Sequence, residues 1–174
     1  LREAGLTMLY VGIESGNDVV LRKITKGASQ NGIVQSCKKA KEHGFTLSCM
    51  IILGIGGKKY SRQHIIDTAR IVSKISPHYL AALTLRLETG VYDEFMTKYS
   101  DIFDPLDDLD VLQELESLIR ELAPIDPILF RANHASNIYS IGGTIPQDRD
   151  RLLALINELK HQPERLRDKN IRRF

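Results

Sequence analysis

Apolar residues along the first half of the chain gather in short runs separated by segments with helical spacing. Residues 7–13 (TMLYVGI), 45–53 (FTLSCMIIL) and 79–87 (YLAALTLRL) are near-continuous apolar stretches of the kind that form buried strands. A short helix is predicted over 18–25, ended by Gly27. A longer one is predicted over 30–43, capped by Ser29 and closed by Gly44. Over 62–75, Ile65, Ile66, Ala69, Val72 and Ile75 share one face, Ser61 stands where a cap belongs, and Pro77 stops the run. Strand, helix, strand, helix, strand with short connections predicts an α/β fold with a parallel sheet covered by helices. Three such units fall short of the ~250 residues of a closed eight-stranded barrel. They leave half of a barrel or a slice of an open doubly wound sheet.

The second half is less regular. Helices are predicted over 92–99, over 110–122 behind an acidic turn, and from Pro146 to about residue 159, with a strand at 128–132. Residues 1–90 are therefore expected to form the α/β unit, and 91–174 a mostly helical extension packed on the same domain.

The 174 residues are 43% hydrophobic and 26% charged with a net charge of +2, an ordinary globular balance that implies no polyanionic partner. The basic run Arg165, Arg167, Lys169, Arg172, Arg173 reads as a solvated tail better than as a nucleic-acid site. No apolar stretch approaches the ~20 residues of a membrane helix. The two cysteines, Cys37 and Cys49, form no close pair, which fits a reducing, cytoplasmic setting. Leu1 to Gly5 read as the tail of a helix, so the sequence is expected to start inside a fold.

Ligands of parallel α/β folds bind where strands end. The first such turn is Gly12-Ile13-Glu14-Ser15-Gly16: a carboxylate and a hydroxyl between glycines suit a ligand, and equally suit a polar turn that caps the next helix. The second, Gly54-Ile55-Gly56-Gly57-Lys58-Lys59, lacks the spacing of a phosphate loop and the third glycine of the dinucleotide fingerprint, and is expected to be a flexible active-site loop. In the third, Arg86 and Glu88 share a face if the strand extends that far. A fourth cluster holds Arg131, Asn133 and His134; it reads as a substrate-contacting strand end or a satisfied polar turn. The five histidines are scattered, and no metal site is expected from these residues.

Several of these segments fall in a familiar order. Tyr10-Val11-Gly12-Ile13-Glu14-Ser15-Gly16-Asn17, then Lys26-Gly27, then the helix end at Gly44, then Ile51-Ile52-Leu53-Gly54, resemble the radical S-adenosylmethionine (SAM) superfamily. The likeness is nearest to the iron–sulfur oxidoreductases that include the oxygen-independent coproporphyrinogen oxidases and the methylthiotransferases. It covers roughly residues 1–90, and residues 131–153 resemble the C-terminal tail of one subgroup. The resemblance implies the C-terminal half of a partial (β/α)6 TIM-like barrel, with the fourth, fifth and sixth strands present. It implies SAM and a [4Fe–4S] cluster as cofactors, and a 5′-deoxyadenosyl radical acting on a substrate that the sequence does not identify. Glu14 would meet the SAM ribose or amino group, with Ser15 beside it, and Lys26 the methionine carboxylate. Met50, Ile52, Leu53 and Gly54 would line the adenosine, with Leu85 near the adenine. Arg86, Glu88, Arg131, Asn133 and His134 are the candidates for substrate contact.

The departures are as definite. The CxxxCxxC motif that holds the cluster is absent, as is the family's GGE element, and Gly56 replaces a common proline. The 174 residues alone are therefore expected to be catalytically inactive and to self-associate through an exposed sheet edge. The alternative is a non-catalytic α/β binding or interaction module.

Overall fold

The computed structural model describes residues 1–168 and 172, with the side chain at position 89 left aside; Lys169 and Arg173 of the basic run lie outside the described residues. Five strands form one sheet in the order β1-β2-β3-β4-β5. They are β1 (Met8–Glu14), β2 (Thr46–Leu53), β3 (Tyr79–Thr84), β4 (Ile128–Ala132) and β5 (Ile141–Ile145). The first four run parallel and β5 returns antiparallel to β4. The helices are α1 (Asp18–Lys23), α2 (Gln30–Glu42), α3 (Gly57–Ile75), α4 (Thr89–Tyr99), α5 (Asp108–Glu121) and α6 (Arg149–His161).

Strand side chains alternate in burial. Leu47, Cys49, Ile51 and Leu53 of β2 are buried, whereas Thr46, Ser48, Met50 and Ile52 between them are only half-buried. β3 repeats the pattern with Leu80 and Ala82 buried, and β4 with Ile128, Phe130 and Ala132. One face of the sheet therefore carries the core, in a single cluster with α2, α3, α5 and α6. The other face is open, and Tyr10 stands 74% exposed on it. Apolar runs that promised strands covered on both sides are covered on one.

Ser29 caps α2 by accepting from Gly32 N–H, as expected. α3 starts earlier than its apolar stripe suggests, at Gly57 rather than after Ser61, because the glycine segment folds into its first turn. β3 is shorter than expected and stops at Thr84, so Arg86 and Glu88 lie beyond it. Pro146 sits in the turn before α6 and not at its first position, since Asp148 is the residue that flanks the helix. β5 was not expected: Gly142 and Gly143 break the apolar alternation by which a strand is recognised. The second half extends the sheet of the first, and α5 and α6 pack in the same core.

Candidate functional site

The C-terminal end of β1 is where the chain departs furthest from regular backbone. Between Gly12 and Glu14 the pairing with β2 slips, and Glu14 takes a left-handed φ of 60°, uncommon for a residue with a Cβ. The slip brings the Glu14 carboxylate over Gly12, where a Cβ would stand 2.1 Å from Oε1. Lys26 Nζ donates to that same oxygen at 3.0 Å. Both side chains keep about a quarter of their surface, at 28% for Lys26 and 21% for Glu14. A carboxylate and an ammonium, paired but still reachable, thus mark the mouth of the sheet. Sequence reasoning named both residues but gave no reason why they should touch.

A buried scaffold fixes this turn from behind. Asn17 N–H donates to Ser15 Oγ at 3.0 Å, and Ser15 Oγ stands 2.8 Å from His64 Nδ1. His64 Nε2 lies 3.1 Å from the Ile52 carbonyl. A carbonyl only accepts, so the network places the proton on Nε2, and the Ser15 hydroxyl donates to Nδ1. Burial holds the His64 imidazole neutral and pushes its pKa down to about 4. Gly16 lies against α3 so closely that a Cβ would come within 2.5 Å of the Asp67 backbone. Asn17 caps α1 through Oδ1 and ties to Asp67 through Nδ2 at 2.7 Å. Ser15 has no exposed surface and its hydroxyl bonds inside the protein, so it shapes the turn from behind the site.

The other strand ends complete the site. Met50 and Ile52 share the open face of β2, with Met50 paired to Gly12, whereas Leu53 points into the core. Gly54 turns at φ 81°, and its N–H is held at 2.7 Å by Oε2 of Glu114, reaching across from α5. Leu85 N–H bonds to the Leu53 carbonyl at 2.9 Å. Leu53, Gly54, Leu85 and Arg86 line a cavity of about 250 Å³ at the ends of β2 and β3, together with Leu106 and Arg172. Glu14, Lys26, Met50, Ile52, Gly54 and Leu85 therefore all lie at or beside the same end of the sheet.

The remaining candidates lie apart. Glu88 is exposed and flanks α4. Arg131 and Asn133 border a separate depression on the open face, of about 400 Å³, with Tyr10, Ser48 and Tyr79. His134 belongs to a turn that latches onto β3. Its Nδ1 meets Ser136 Oγ at 3.0 Å, Ser136 Oγ takes Thr84 N–H at 3.2 Å, and Asn137 bonds both Thr84 Oγ1 and the Ala82 carbonyl at 2.9 Å.

The glycine loop expected to be flexible is clamped. Tyr99 Oη donates to the Gly56 carbonyl at 3.0 Å, Lys58 N–H meets the Asp104 carbonyl at 2.8 Å, and Phe103 lies against Gly57. The two lysines that follow pair outward, Lys58 with Asp110 and Lys59 with Asp101. Glu114 and His64 were missed by sequence reasoning; Glu114 stands in a helix stripe otherwise apolar, whereas His64 shares its buried face of α3 with the polar Asp67 and Thr68. Val111, Leu115 and Leu118 flank position 114 on its face. Burial pushes the Glu114 pKa up to about 7 against the pull of Ser61 and Gly54.

The chain's thiols do not fit an iron–sulfur cluster. Cys37 and Cys49 are both buried on the helical side of the sheet, hydrogen-bonded to each other, and this contact together with burial pushes the Cys49 thiol far up. Cluster ligation needs thiolates, typically four sulfurs or three with an open iron. Among the described residues no three His, Cys, Asp or Glu side chains group as a metal site, and no helix is long and apolar enough to cross a membrane.

Residues 1–71 match the family model of the radical SAM superfamily, the segment that contains β1, the Glu14–Lys26 pair, β2 and most of α3. The match bears out the resemblance read from the motifs and is consistent with membership of that superfamily. No curated protein matches the chain.

Proposed function

We propose that this chain supplies the SAM-binding strand ends of a radical SAM enzyme, and that the thiolates of its [4Fe–4S] cluster come from residues outside these 174. The observation that carries the reading is the Glu14–Lys26 pair at 3.0 Å, set at a glycine-flanked strand end inside the matched segment. The methionine moiety of SAM is a zwitterion. Its ammonium suits Glu14 and its carboxylate suits Lys26, so one ion pair opens into two as the ligand enters. Gly12 keeps the carboxylate free of its own strand, and the Ser15–His64 network holds the turn still. Met50 and Ile52 offer an apolar surface to the adenosine, and the Gly54 turn and Leu85 border its far side. Bound SAM and a cluster together supply reductive cleavage to a 5′-deoxyadenosyl radical in this superfamily; the residues here bind and orient.

The helices on one face and the open second face support the further reading that the sheet is half of a partial (β/α)6 barrel, its open face turned to the interior. β1 then presents an unpaired edge on which another strand can add. We read that edge as the route of self-association of the isolated chain, and sedimentation showing a strict monomer at high concentration would count against it. The functional reading is tested with the natural protein that joins these residues to a CxxxCxxC segment, reconstituted without oxygen and assayed for 5′-deoxyadenosine. Glu14→Gln and Lys26→Met are expected to lower its formation at least tenfold, the effect of losing about 1.4 kcal/mol of binding. Full activity in both variants would refute the assignment.

A further inference from the structure

The register of the sheet sets out its open face in rows. Tyr10, Ser48, Tyr79 and Leu129 stand opposite one another across β1 to β4, and Gly12, Met50, Ala81 and Arg131 do so two positions further along. Residues two apart on a strand share a face, so both rows lie on the open side. The depression of about 400 Å³ around Ala81 falls within the range of ordinary small-molecule sites. Tyr10, Tyr79, Ala81 and Leu129 give it apolar surface, and Ser48 and Asn133 add a hydroxyl and an amide. Arg131 is its charged residue. Among the described residues no acidic side chain lines this depression, nor the second one that Arg131 borders beside β5.

The Arg131 side chain leans back over the neighbouring row, where its guanidinium carbon stands 5.8 Å from the Tyr79 ring centroid. A guanidinium stacked on a ring keeps the N–H groups of its edge for a planar acceptor. Among the described residues no carboxylate pairs with Arg131 and no acceptor takes a hydrogen bond from it. A cation set among tyrosines and small apolar side chains, with an amide and a hydroxyl in the same depression, suits an anion that carries an apolar body. The row also leads to the Glu14–Lys26 pair, since it ends at Gly12, over which the Glu14 carboxylate lies. Strands ~4.8 Å apart put about 10 Å between the positions of Arg131 and Met50. We propose that this depression seats the carboxylate of the substrate, held by Arg131 with Asn133 beside it, and that the apolar body of the substrate lies along Ala81 toward Met50. The anion seat stands on the geometry of the open face; its assignment to the substrate rests on the proposed SAM site.

The test is a titration of the ¹⁵N-labelled 174-residue chain with 4-phenylbutyrate, beside 4-phenylbutanamide and 4-phenylbutylammonium. The carboxylate is expected to shift the amides of Tyr79, Ala81, Arg131 and Asn133, and to bind at least tenfold more tightly than the amide or the amine. Arg131 is exposed, so Arg131→Gln is expected to fold, to erase that preference and to leave binding of the amide unchanged. Ala81→Phe, which fills the depression with the guanidinium in place, is expected to abolish binding of the carboxylate. Equal binding of carboxylate and amide to the unaltered chain would overturn the proposal. So would carboxylate shifts mapping elsewhere, or an undiminished preference in Arg131→Gln. A SAM titration of the same chain separates the two readings: carboxylate shifts at Arg131 where SAM leaves Gly12 to Gly16 unmoved would keep the anion seat and overturn its assignment to the substrate.

Discussion

Two buried titratable groups oppose each other in this fold, and their balance is measurable. Burial raises Glu114 from 4.5 to about 7 and lowers His64 from 6.5 to about 4. Each displacement corresponds to ~3 kcal/mol at about 1.4 kcal/mol per pH unit. Between pH 4.5 and 7 the native Glu114 keeps a proton that the unfolded chain has released, so stability falls as pH rises. Between pH 4 and 6.5 the unfolded chain binds a proton that the native His64 refuses, so stability rises with pH. Over the shared window the two slopes nearly cancel, and the unaltered chain is expected to show a flat profile. Glu114→Gln removes the falling arm and should leave a rise of ~3 kcal/mol from pH 4 to 6.5; His64→Gln removes the rising arm and should leave a fall of similar size from pH 4.5 to 7. Urea unfolding in half-unit steps of pH, read by linear extrapolation, gives the three curves. The carboxylates held low by ion pairs, Glu94, Glu116, Asp101 and Asp148, add a rise at the acid edge of this window that is common to all three curves and cancels from their differences. Three parallel curves would refute the claim that burial sets these two groups against each other.

Other expectations follow from single contacts. Gly12→Ala places a methyl group 2.1 Å from Glu14 Oε1, the end of a movable side chain; the fold should survive, with a melting temperature within a few degrees, while the Glu14–Lys26 contact is lost, as read from the side-chain carboxyl carbon shift. Asn137→Ala leaves the Ala82 carbonyl and the Thr84 hydroxyl without their partner and should cost ~1–3 kcal/mol in urea unfolding. Phe130→Ala empties a fully buried position on β4 and should cost ~3–5 kcal/mol.

The α/β alternation was legible because strands β1 to β4 are dense apolar runs and α2, α3 and α5 carry clear stripes. β5 was not, because Gly142 and Gly143 carry no side chain to register on either face. In the structure Glu14, Ile52, Gly54 and Leu85 lie at or just past strand ends, Lys26 pairs with Glu14, and Met50 stands opposite Gly12 within β2. What the sequence hid were the contacts made across long separations. Glu114 reaches Gly54 over sixty positions, and His64 reaches Ser15 over forty-nine. Glu114 is a polar residue in an apolar stripe, which signals a buried partner without naming it; His64 is one of three neighbouring polar residues, with Asp67 and Thr68, on the buried face of α3. Arg131 and His134 looked alike as strand-end polar groups, yet one borders the open face and the other serves a latch, a distinction made only by the turn geometry after β4.

The central claim is that the end of β1 receives the methionine moiety of SAM. Its most direct test is amide mapping of the ¹⁵N-labelled chain during titration with SAM. Without a cluster to anchor the ligand, binding is expected to be weak, near ~1 mM, a free energy of about 4 kcal/mol. Shifts should concentrate at Gly12 to Gly16, Lys26, Met50 to Gly54 and Leu85, and vanish in Glu14→Gln. Shifts elsewhere, or none up to ten times that concentration, would contradict the account.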